Sequence, residues 1–217
     1  MDQETPEGWT YYRWPESEPV RLVANDILQT TPGSKAGEPL HHLIRYADMS
    51  YLSCRILMIS SEEVHPPALY MAGQTVEKYL KALLQKFAGT YRWRHPLTEL
   101  AEEVHGVLTD KGSKDAGLFN DPEFVALCEQ LQEFDIAGRY QPERIASWHY
   151  YLNILGFLDA FVVKCREIIG VNLDSTNVVR DLLLQDTTTN EVMAAAVRAV
   201  RDRNRHVEAL LNPGSAT

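Results

Sequence analysis

From His41 to about Ser60, the apolar positions Leu43, Ala47, Tyr51, Cys54 and Met58 recur at spacings of three and four, which marks one buried face of a helix. A second stripe runs through Leu69, Ala72, Val76, Leu80, Leu83 and Phe87. Pro66 and Pro67 suit its opening turn, where a missing N–H costs little, and Gly89 ends it. Pro96 opens a third helix through Leu97, Leu100, Val104 and Leu108, and residues 111–120, with Gly112, Ser113 and Gly117, read as a loop. Asp121 then serves as an N-cap with Pro122 in the first helical position, ahead of Phe124, Leu127, Leu131 and Phe134. A fifth helix is expected from about Pro142 to Ile169, with Ile145, Trp148, Leu152, Leu155, Leu158, Val162 and Cys165 on one face and Gly170 as its left-handed cap. Beyond it come a short helix, Val178 to Leu184, and one last helix whose apolar side is Met193, Val197, Val200, Val207 and Leu211. No stretch alternates as a half-buried strand does, so the fold class is all-α.

Residues 1–40 break this pattern. They hold Trp9, Tyr11, Tyr12 and Trp14 among five prolines, with one short helix at about Val20–Leu28, and form an N-terminal extension whose aromatics dock on the bundle or on a partner. The divisions are therefore 1–40, a bundle at 41–170 and a C-terminal helical extension at 171–217. The most apolar stretch, Leu152 to Ile169, carries Asn153, Asp159, Lys164, Arg166 and Glu167, which excludes a membrane span. The acidic start MDQETPEGW lacks the layout of an export signal, so a cytoplasmic location is expected. Cys54, Cys128 and Cys165 are odd in number and sit in apolar helical patterns, as reduced core thiols do. The net charge of −9 argues against coating nucleic acid with the whole surface, and leaves only local patches for that purpose.

One such patch exists. Between Lys78 and His95 stand Lys78, Lys81, Lys86, Arg92 and Arg94 with no Asp or Glu, interleaved with Tyr91 and Trp93. Cations hold phosphates and aromatic faces stack bases, so the segment is a candidate nucleotide or single-stranded RNA surface. Equally, Lys78 and Lys81 fit an ordinary helix face, with Glu77 pairing Lys81 at i,i+4. No His pair with a helical Glu, no Gly-rich phosphate loop and no nucleophile elbow is present, so no metal or cofactor is implied.

The run Gln74, Glu77, Lys78, Lys81, Ala82, Leu83, Leu84, followed by His95 and Leu97, resembles the HEPN domain family. Its second helix typically carries Gln-x-x-Glu-Lys-x-x-Lys-Ala-Leu-Leu, and a His-x-Leu step opens the next. Ala137, Arg139 and Tyr140 echo the family's aromatic-arginine turn, with Gly138 inserted and Gln141 ahead of the proline. The resemblance covers about residues 41–170 and implies an up-and-down bundle of four to five helices, commonly a homodimer.

Active ribonucleases of the family use an Arg followed four to six residues later by His. Two pairs have that spacing: Arg144 with His149, near the start of the final bundle helix where the family places its motif, and Arg201 with His206 in the last helix. The Asn that usually follows the Arg is absent, since Ile145 and Asp202 stand there. Five residues of regular helix turn through about 500°, leaving the two side chains roughly 140° apart. A helix start that is not yet regular, or a dimer contributing from both copies, would bring them together. Two functions follow from the resemblance. One is a metal-independent endoribonuclease of toxin or defence type, with Arg144, His149 and Arg139 at its centre. The other is a catalytically silent HEPN dimerisation or adaptor domain that binds a nucleotide or a partner such as a nucleotidyltransferase.

Overall fold

The computed structural model describes residues 39–60, 65–91, 96–140, 151–170 and 178–212. Its helices in chain order are α1 (Pro39–Ser60), α2 (His65–Ala88), α3 (Leu97–Asp110), a 3-10 turn at Ala116–Asn120, α4 (Pro122–Tyr140), α5 (Tyr151–Ile169), α6 (Val178–Leu184), α7 (Glu191–Arg201) and α8 (Val207–Leu211). Among the described residues there is no strand. The class is all-α, a helical bundle with further helices at its C-terminal end. None of the described helices is long and apolar enough to cross a membrane. The aromatic N-terminal extension and its expected helix at 20–28 lie outside the described residues.

α2 is the hub, packing on α1, α3, α4 and α5. The reason is compositional: Leu69, Ala72, Val76, Tyr79, Leu80, Ala82, Leu83 and Leu84 are all buried, so its apolar surface extends well beyond one narrow stripe. Small residues bring the backbones close, and a β-carbon at Gly73 would stand 3.7 Å from the Leu131 carbonyl of α4. Across the core, Phe124 of α4 stacks with Phe157 and Phe161 of α5 and meets Phe119 edge-on. Cys54, Cys128 and Cys165 are free and buried, as their apolar settings predict. Burial pushes the Cys54 and Cys128 thiols up to about 12.

The helix ends follow from local chemistry. The Asp121 carboxylate accepts the Glu123 and Phe124 N–H groups at 2.9 and 3.3 Å, which is the expected N-cap. Gly89 and Gly170 follow α2 and α5 with φ of 76° and 60°, a left-handed conformation that glycine adopts without strain.

Three expectations change. The loop at 111–120 contains the 3-10 turn, because Ala116 and Phe119 are buried and pin it to the core. α4 runs on past Phe134 to Tyr140, so the Ala137–Tyr140 segment is helical. Most consequentially, the last helix is two. α7 ends at Arg201, Arg203 takes a φ of 52°, and α8 starts afresh at Val207. The break is fixed by Asn204, which is buried, donates from Nδ2 to the Val200 carbonyl at 2.9 Å and accepts the His206 N–H at 2.9 Å. A side chain that bonds to its own neighbouring backbone competes with the helical ladder.

Candidate nucleic-acid interface

Two basic residues of α2, Lys78 and Lys81, are joined in a chain of hydrogen bonds. Lys78 Nζ donates to Gln74 Oε1 at 2.7 Å and to Ser50 Oγ of α1 at 3.3 Å. Gln74 Nε2 donates to Glu77 Oε2 at 3.3 Å, and Lys81 Nζ donates to Glu77 Oε1 at 2.6 Å. Lys81 is 5% exposed, so its charge is compensated at once by Glu77 and by the Tyr91 ring, whose centroid lies 5.8 Å away. The i,i+4 pairing that the spacing offers is therefore formed. Lys78 is half-buried, and burial lowers its pKa. Lys86, in the last turn of α2, is exposed.

Tyr91 against Lys81 fixes one end of the segment that follows α2. The other end is fixed at the start of α3, where the Leu97 N–H donates to Gln132 Oε1 of α4 at 3.0 Å. That bond satisfies a helix N-terminus which Pro96, in the cap position, does not satisfy with its own side chain. Arg92, Trp93, Arg94 and His95 stand between these anchors in sequence and lie outside the described residues. Gln132 precedes Arg139 by seven residues on the same helix, a rise of about 10 Å. Arg139 is in the last turn of α4. Its side chain, and Arg144 and His149 altogether, lie outside the described residues.

The second candidate pair straddles the helix break. Arg201 is exposed at the end of α7, and His206 is half-buried in the cap position of α8. They do not share one helix. Among the described residues no group of three His, Cys, Asp or Glu side chains could hold a metal ion.

Two buried polar clusters escape a reading by motif. In the first, Asp48 Oδ1 accepts Tyr79 OH at 2.5 Å and Arg166 Nη2 at 2.6 Å, while Arg166 Nε donates to Tyr79 OH at 3.0 Å. In the second, Asp159 accepts Tyr51 OH at 2.6 Å and pairs with Arg55 at 3.3 Å, and Arg55 Nη2 reaches the Asp202 carbonyl at 2.6 Å. Asn204 Nδ2 closes it, donating to Tyr51 OH at 3.0 Å. Burial raises both carboxyls, with the facing guanidiniums pulling them back. The His206 charge also favours the Asp159 carboxylate. The available signal is a charged residue on an apolar stripe: Asp48 and Arg55 flank Tyr51 at helical spacing.

A family model described as the HEPN domain matches residues 41–167, more than half of the chain. No curated protein and no solved structure matches.

Proposed function

Because this chain belongs to the HEPN domain family, whose members act on nucleotides or RNA in general, we propose that it binds single-stranded RNA and cleaves it without a metal. The observation that carries this reading is the Leu97–Gln132 hydrogen bond. It ties the start of α3, which follows the basic, aromatic segment in sequence, to α4, the helix that bears Arg139, and so supports a common surface for the two. In this reading Lys86, Arg92 and Arg94 hold phosphates, Trp93 stacks a base, and Lys78 and Lys81 shape the α2 face that supports them. Arg139 and Arg144 bind the scissile phosphate and the charge that builds on it. His149 takes the proton of the ribose 2′-OH or returns one to the leaving oxygen, work suited to a group that titrates near neutrality. A homodimer would let Arg and His meet from two copies.

One observation favours the second reading, a silent domain that binds a nucleotide or a partner. Lys78 and Lys81, the central cations of the motif, are already engaged by Gln74 and Glu77. Incubating the protein with single-stranded RNA in EDTA, beside His149→Ala and His206→Ala, separates the readings. Cleavage lost in His149→Ala alone is the expected result. Equal trace cleavage by all three proteins sinks the catalytic reading and leaves the silent one. Loss in His206→Ala alone moves the chemistry to the C-terminal segment.

A further inference from the structure

A cleft of about 320 Å³ opens between α1 and the helices that follow the family-matched region, and no candidate residue of the RNA site lines it. Arg45 and Leu52 of α1, two turns apart, form one wall. Val178, Asp181 and Leu182 on one face of α6, with Gln185 just past its end, form the opposite wall, and Met193 of α7 closes an end. The three helices are in direct contact with one another, and the cleft is a groove open to solvent along their junction. Its volume falls in the range of small-molecule sites, which bury an apolar body and orient it with a few polar groups.

Arg45 supplies the chemistry. It is partly buried, its Nε is shielded from solvent, and among the described residues it has neither a hydrogen bond nor an ion pair. Asp181 shares the cleft without reaching it in an ion pair. Only Nε is shielded, which leaves the two Nη groups accessible to a ligand, and the planar fork fits a carboxylate or a phosphate equally. Leu52, Val178, Leu182 and Met193 offer apolar contact beyond it, and Asp181 and Gln185 can accept hydrogen bonds from a hydroxyl or amine.

We propose that this cleft is a binding site for a small organic anion, a carboxylate or a phosphate monoester with an apolar or aromatic body, held by Arg45. Calorimetric titration of the full chain with phenyl phosphate, 3-phenylpropionate and neutral benzyl alcohol tests it. At least one anion binds one site per chain, at least tenfold more tightly than the alcohol. The preferred anion tells phosphate from carboxylate. Arg45→Gln weakens that anion at least tenfold, and Met193→Trp, which fills the cleft from the other side, abolishes binding and carries the test alone if Arg45→Gln does not fold. Failure of both anions to bind, equal binding of the alcohol, or binding that survives Met193→Trp overturns the proposal.

Discussion

Asp48 of α1 meets Arg166 of α5, and seven residues further along α1 Arg55 meets Asp159, seven residues before Arg166. The charges are exchanged between the two helices, and each carboxylate also accepts a buried tyrosine hydroxyl. Such a pattern admits one direction: with α1 and α5 antiparallel both pairs form, whereas a parallel arrangement would set like charges together. The clusters differ in what joins the acid, the arginine and the tyrosine. The first is made of Asp48, Arg166 and Tyr79 alone, all within the bundle, while Asn204 and the Asp202 carbonyl enter the second from the C-terminal segment. Near-identical parts thus do separate work, one holding the family bundle and the other fastening later helices onto it.

Removing one charge should expose the difference. Arg166→Met leaves Asp48 buried without its cation and should lower stability by about 3–5 kcal/mol in urea unfolding. The double variant Asp48→Leu with Arg166→Met should recover most of that loss, because no charge is then left unpaired. Arg55→Met should cost less, about 2–3 kcal/mol, since its ion pair with Asp159 is the looser of the two, 3.3 Å against 2.6 Å for Asp48 with Arg166. Its signature should be local: limited proteolysis should cut after Arg201 while residues 39–170 stay resistant, whereas Arg166→Met should expose both regions together. If Arg55→Met opens the whole chain at once, the two clusters are not separable.

Smaller effects sharpen the same contrast. Asn204→Ala removes one side-chain partner from the second cluster and the cap that sets the helix break, an expected loss of about 1–2 kcal/mol by thermal or urea unfolding. The smallest effect is on alkaline stability. Unfolded thiols ionise from about pH 8.5, while Cys54 and Cys128 keep their protons until about 12. The folded chain therefore holds more protons in between, so the stabilisation these thiols give is complete below the unfolded value and is lost as the pH rises towards 12. Urea midpoints measured from pH 8 to 10.5 should fall less in a Cys54→Ala variant than in the native chain.

Much of the bundle is legible in the sequence because it rests on periodicity. Leu69, Ala72, Val76, Leu80 and Leu83 are buried as their spacing requires, and so are Leu97, Leu100, Val104 and Leu108. The same signal misleads in the last helix. Val200, Val207 and Leu211 keep helical spacing across residues 202–206, and only the buried Asn204 reveals that the backbone turns there. Nor does periodicity announce a buried charge, since Asp48, Arg55, Asp159 and Arg166 are justified by partners more than a hundred residues away. On the candidate site, composition marks the basic run but does not show that Glu77 and Gln74 engage its first two lysines, a matter of rotamers on one helix face. Arg144 and His149 rest on family position, and Arg201 and His206 share a spacing that the break deprives of helical meaning.

The family bundle, and not the segment fastened to it, is where RNA should sit. The most direct test is photocrosslinking of single-stranded RNA containing 4-thiouridine to the full chain, with the attached peptides identified by mass spectrometry. Crosslinks should fall within residues 86–97 and 136–151, with Tyr91 and Trp93 foremost. Crosslinks confined to residues 178–212 would contradict the assignment and transfer the nucleic-acid surface to the C-terminal helices.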